Sequence, residues 1–143
     1  MTDRASNIVR VWSAVVLSGC LGLLVYAARL APDPSGIGTH KQMGLRVCPS
    51  IAEGRGPCIS CGMTTSVALA ANGRVLAAFV AQPAGALLAM TLGCGVWVAG
   101  YGLLTGNRDI GRLRALLRPA TGVVIASVLM ASWGYKIVVF GNG

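Results

Sequence analysis

The chain has 143 residues, of which 55% are hydrophobic and only 11% charged, and its mean hydropathy is +0.70. Soluble domains carry about 25% charged residues, so this composition argues against a water-soluble globule, and its hydrophobicity excludes intrinsic disorder. The net charge of +8 comes with few aromatics and no basic–aromatic interleaving, which points to a phospholipid surface and not to nucleic acid.

Three apolar stretches are long enough to cross a bilayer, which takes about 17–25 mainly apolar residues. The first lies between Arg10 and Arg29 and predicts a spanning helix over about 8–30. Arg4 and Arg10 before an apolar run also fit a secretory signal. Leu17-Ser18-Gly19-Cys20 resembles a bacterial lipobox, in which the cysteine is lipidated. Against lipidation, the apolar run continues from Leu21 to Ala28, where a mature lipoprotein turns polar. The bland role for Cys20, and for Cys94, is a small apolar side chain at a helix contact.

A segment over 31–61 breaks the apolar pattern. It holds the only histidine, two of the four acids and three of the five cysteines. Pro32, Pro34, Gly36 and Gly38 bar regular helix at its start. A loop of about 30 residues between helices is uncommon unless it is functional or disordered, and its Cys and His content favours function.

Between Arg74 and Arg108 run 33 uncharged residues, too many for one span. Pro83 is the natural divider, because proline suits the first turn of a helix and breaks its interior. The second span is therefore expected over about 83–105. Upstream, Asn72-Gly73 is a helix-stop signal, and it separates two short helices over about 62–71 and 74–82 that lie in the membrane interface. Joining them into a fourth span would put Asn72, Gly73 and Arg74 at mid-bilayer, which is costly. The third span is expected over about 120–140. Lys136 lies near its end, from where its stem can snorkel to the headgroups.

Small residues recur every four positions, at Ala81, Gly85, Ala89 and Gly93 and at Ala14, Ser18 and Gly22. Such stripes let helices approach closely in lipid, either within one bundle or between two copies of the chain. Orientation follows Lys and Arg in the short flanks. Segments 1–10 and 106–118 carry six basic residues in 23 positions, whereas 29–74 carries five in 46. This density places the N-terminus in the cytoplasm and the long loop outside, in a bacterial inner membrane. The chain is thus expected to be one all-α integral membrane domain over 1–143.

The loop carries the chemistry. His40 is followed by seven residues and Cys48, then by nine residues and Cys58-Ile59-Ser60-Cys61-Gly62. A two-residue gap lets both sulfurs face one point, and the glycine relieves the turn that follows. With Cys48 and His40 the pair makes a tetrahedral Cys₃His set suited to zinc. Thr39 and Gln42 are candidate hydrogen-bonding supports for such a histidine. The same cysteines suit redox work, because a C-x-x-C at a helix start has a lowered thiol pKa and Cys48 could relay a disulfide. A purely structural disulfide from Cys48 to Cys58 or Cys61 is the third possibility, although three cysteines leave one over.

Gly36-Ile37-Gly38-Thr39-His40-Lys41-Gln42-Met43-Gly44, Cys48 and Gly56-Pro57-Cys58-Ile59-Ser60-Cys61-Gly62-Met63-Thr64-Thr65 together resemble the domain of unknown function 2752 family, small bacterial membrane proteins. The planctomycete-like members are most similar in this loop. Gln82-Pro83 before a spanning helix is also similar, and the resemblance covers about 33–105. Ile59 stands where the family usually has proline, and Thr65 where many members have arginine. The resemblance implies an architecture and no settled biochemical role.

No paired carboxylates, P-loop or dinucleotide fingerprint is present, so any catalysis would run through thiols, and a non-enzymatic role is favoured. The leading expectation is a small integral membrane protein whose Cys/His loop site is structural, held by metal or a disulfide. The alternatives are a thiol–disulfide or metal-handling protein using Cys58, Cys61 and Cys48, and an accessory subunit of a membrane complex. Partners are expected to be lipid and either a membrane protein or a second copy of the chain.

Overall fold

A computed structural model describes residues 2–46, 49, 53–54, 58–106 and 119–141. Five α-helices form among them: α1 (Thr2–Arg29), α2 (Met63–Ala71), α3 (Val75–Ala81), α4 (Pro83–Thr105) and α5 (Pro119–Gly141). A short 3₁₀ helix over Thr39–Met43 precedes α2. The described residues contain no strand.

Local chemistry explains the boundaries. Arg29 in the last turn of α1 complements the helix dipole, and Pro32 and Pro34 prevent continuation. Helix α2 stops at Asn72-Gly73. Arg74 N–H bonds Leu69 O at 2.9 Å and Gly73 N–H bonds Ala70 O at 3.0 Å, the paired bonds of a Schellman motif. Gly73 supplies the required left-handed residue, with φ +77°. The stop ends α2 after nine residues, and α3 adds only seven. The joined fourth span is thereby excluded. Helix α3 ends at Gln82, which is extended, and Pro83 opens α4 at its first turn.

The largest helix contact is α1 against α4. The two run antiparallel. Cys20 Sγ sits 3.1 Å from where a Cβ on Gly95 would stand, and Leu30 and Leu88 line one cavity nearer the loop. Helices α2 and α3 pack over the N-terminal end of α4, where Leu69, Ala78 and Ala86 form a small core. A Cβ on Gly85 would stand 2.8 Å from Ser66 Cβ and 2.9 Å from Met63 O, so α2 and α4 cross there with no room for a side chain.

The small-residue stripes therefore divide. Gly85 and Ala89 are consumed inside the chain, while Gly93 and Gly22 meet nothing within 4 Å. The cysteines divide as well. Cys20 is half-buried at a helix contact, whereas Cys94 is exposed and corrects its assignment to such a contact.

Two helical segments, Asn7–Arg29 and Pro83–Thr105, are long and apolar enough to cross a membrane, and only 6% and 17% of their most apolar windows are buried inside the protein. Helix α5 has 23 residues and a described apolar stretch over Gly122–Val138. Lys136, expected to snorkel outward, instead turns inward and is 3% exposed. Its ammonium finds carbonyl oxygen at the end of α3 instead of headgroups, donating to Ala81 O at 2.7 Å. The adjacent Tyr135 hydroxyl donates to Val80 O at 3.2 Å.

Candidate functional site: a dithiol on a hydrogen-bonded platform

The Cys58–Cys61 turn is closed by Cys61 N–H to Cys58 O at 3.0 Å. It brings the two sulfurs to 3.3 Å. That is too long for a disulfide, whose S–S bond is about 2.05 Å, and close enough for one to form without moving a helix. Cys58 is half-buried, with Ser60 Oγ 3.5 Å from its sulfur, and Cys61 is buried. Cys61 stands two residues before Met63, the first residue of α2, where helix N-terminal amides favour a thiolate.

Gly62 explains the glycine of the motif. Its φ is +84°, and a Cβ there would stand 2.7 Å from both Gly36 O and Lys136 Nζ. Four parts of the chain meet at this point: the start of the loop, the dithiol turn, the end of α3 and the last helix. Lys136 also interacts electrostatically with Cys61.

Buried polar groups fix the turn from below. Thr39 Oγ1 and Thr65 Oγ1 lie 2.8 Å apart, and Thr39 Oγ1 accepts the Asp33 N–H at 3.0 Å. The Gly-Thr-His run is thus bonded directly to the run that follows the dithiol, and Thr65 acts there as a hydrogen-bonding group. Ser66 Oγ is 2.8 Å from both Ala78 O and Gln82 O, carbonyls at the α3–α4 junction that also accept the backbone N–H groups of Gln82 and Ala86. Gln82 Nε2 donates to Ile59 O at 3.0 Å, inside the dithiol turn. Ahead of these, Asp33 accepts from Ser35 Oγ and N–H at 2.7 and 2.9 Å. These bonds hold its carboxyl below the usual carboxylate range, the side-chain bond being the larger cause.

The candidate residues fall as follows. His40 sits on the 3₁₀ helix, and its Nε2 is 3.2 Å from Arg46 O. A carbonyl only accepts, so Nε2 is the donor, the tautomer that leaves Nδ1 as the ring's acceptor nitrogen. His40, Cys58 and Cys61 line one cavity of about 530 Å³. No cluster of three or more metal-ligating side chains occurs among the described residues. Cys48 lies outside them. Thr39 and Gln42 do not support His40: Thr39 bonds Thr65, and Gln42 pairs with the backbone of Ala31 through Nε2 to O at 2.6 Å and Oε1 to N–H at 3.0 Å.

Sequence reasoning missed Lys136, Gln82 and Ser66 as parts of the site. The signal was there. Each is a polar residue inside or beside an apolar helix, and such residues are retained in lipid only where a partner exists.

Residues 48–97 match the model of the DUF2752 family, described as a protein of unknown function. The DUF2752 segment takes in the dithiol turn, α2, α3 and most of α4. His40 and Lys136 lie beyond it, so the site joins the DUF2752 segment to elements on either side. No curated protein and no solved structure matches the chain.

Proposed function

We propose that this chain is a bacterial inner-membrane protein of three crossings whose Cys58–Cys61 pair works as a reversible dithiol at the outer face. Support for the crossings comes from length and exposure. Helices α1, α4 and α5 are each at least 23 residues, or roughly 34 Å at 1.5 Å per residue, which exceeds a hydrocarbon core of about 30 Å. Large apolar side chains such as Trp12, Trp97, Leu104 and Val123 are more than 60% exposed. In water these would form patches far beyond what a soluble monomer presents. The Lys/Arg density puts the N-terminus in the cytoplasm and the dithiol outside, where disulfides form and persist.

The observation that carries the chemical role is the 3.3 Å approach of two thiols in the wall of an open cavity. Closing the disulfide needs a shift of little more than 1 Å. The test is a free-thiol and metal count on one detergent-purified sample, before and after mild oxidation. A Cys58–Cys61 disulfide that dithiothreitol reopens is the expected result. Thiols that stay reduced under oxidant would overturn it.

One observation favours a second reading. His40 donates its Nε2–H to a backbone carbonyl, as metal-bound histidines do, and keeps Nδ1 for a ligand beside the same two cysteines. A structural zinc held by His40, Cys48, Cys58 and Cys61 would give about one metal per chain and thiols that react only after chelation.

A further inference from the structure

The cavity beside the dithiol is larger and more apolar than a thiol turn requires. Its volume of about 530 Å³ lies within the usual range for small-molecule sites. The apolar wall is built by Leu23 and Tyr26 of α1, Leu30 just past its end, Leu88 and Leu92 of α4, and Met43. Leu23 and Leu30 are seven residues apart, so the cavity follows α1 for about 10 Å. It runs from the loop toward the middle of the two helices that are long and apolar enough to cross a membrane. At its loop end stand the two thiols, with Ser60 and Thr64 as hydroxyl donors.

A dithiol becomes a disulfide only by giving up two electrons and two protons. An acceptor that reaches it through this cavity must be apolar enough to live in the bilayer, flat enough to pass between two helices, and able to take both. An acyl chain would fit the walls but has no chemistry to do with the thiols. We propose that the cavity binds the head group of a lipid-soluble quinone, which oxidises Cys58 and Cys61. The proposal rests on the dithiol reading above. Two S–H bonds break and one S–S bond forms. The two electrons and two protons go to the quinone oxygens, which leave as the two hydroxyls of a quinol. Tyr26 supplies an aromatic face for the ring, and the hydroxyls of Ser60 and Thr64 supply hydrogen bonds to its carbonyls.

The experiment uses the full chain, reduced, in nanodiscs and without oxygen. The probe is a decyl-tailed benzoquinone with a fully substituted ring, so that thiols cannot add to it. Quinol formation and thiol loss are followed together, with diamide, a water-soluble thiol oxidant, in parallel. The expected result is one quinol per Cys58–Cys61 disulfide. Leu92→Trp, which fills the cavity, should slow the quinone reaction about tenfold or more, equivalent to at least about 1.4 kcal/mol in the barrier, and leave the diamide reaction unchanged. A dimethyl-ether analogue of the quinol, which cannot react, should compete in the unaltered chain, and this decides the matter if Leu92→Trp fails to fold. Closure by diamide but not by quinone would overturn this inference and leave the dithiol standing. Closure by neither would overturn both. Quinone oxidation indifferent to both Leu92→Trp and the competitor would overturn the cavity as its site.

Discussion

The loop end of the bundle buries more and larger polar side chains than the far end. At the loop end, the largest fully buried side chains are Gln82, Thr39, Thr65 and Ser66, all polar and each making at least one hydrogen bond, although Gln82 Oε1 is buried with no partner among the described residues. At the far end, α1 and α4 pack through small residues such as Ser13, Ala99 and Gly102, while Trp12, Trp97 and Leu104 point outward. Apolar burial at the loop end is limited to one leucine among small side chains, Leu69 with Ala78 and Ala86, and in a hydrocarbon surrounding such burial would add little drive. Hydrogen bonds add to that core, and each has a high cost of loss where water is excluded. The comparison teaches that buried hydrogen bonds between distant segments are concentrated around the dithiol.

Four measurements would break or sharpen that contrast, each as thermal unfolding in detergent. The largest effect is expected for Gly62→Ala, where a left-handed backbone and two contacts of 2.7 Å leave no room for a Cβ. The loss should be about 3 kcal/mol or more, combining backbone strain with overpacking. Gly93→Ala, in a helix with open space around it, should be neutral or gain up to about 1 kcal/mol. Equal losses at the two glycines would end the comparison.

Next comes Lys136→Met, which strips the Ala81 carbonyl of its charged donor. A loss of about 1–3 kcal/mol is expected, against less than about 0.5 kcal/mol for exposed Lys41→Met. A neutral Lys136→Met would mean that α5 docks by its apolar face alone. Thr65→Val should cost about 1–2 kcal/mol by breaking the buried pair with Thr39. Thr91→Val, whose hydroxyl bonds only Leu87 O of its own helix, should stay within about 0.5 kcal/mol.

The smallest effect is in pH. Because Asp33 has a lowered folded-state pKa, its contribution is fully present above the unfolded value of about 3.9. It is lost as pH falls through the folded value. Stability of the unaltered chain should therefore drop more steeply below about pH 4 than that of Asp33→Asn. Parallel curves for the two proteins would remove Asp33 from the platform.

Much of the architecture was legible in the amino-acid order. Pro83, Asn72-Gly73 and the charge-free runs act locally, so they mark helix ends whatever surrounds them. The dithiol was legible too, because two residues of spacing suffice to bring two sulfurs together. Lys136 was misjudged because a lysine near a helix end obeys the same local rule whether it snorkels outward or reaches a buried carbonyl. The stripes of small residues misled in the same way, since Gly85 and Gly93 are alike until a neighbour covers one of them.

By itself, then, the sequence determined an all-helical chain, its helix breaks, its Cys58–Cys61 turn and the glycine after it. These follow from backbone preferences and hydropathy, which reach only a few residues along the chain. Tertiary structure alone decided that His40 and the dithiol share a cavity and that Thr39 grips Thr65. It also decided that a lysine 75 positions beyond Cys61 closes the platform beneath it. Those are pairings between distant segments, and they are set by which carbonyls and hydroxyls are left without water once the helices pack.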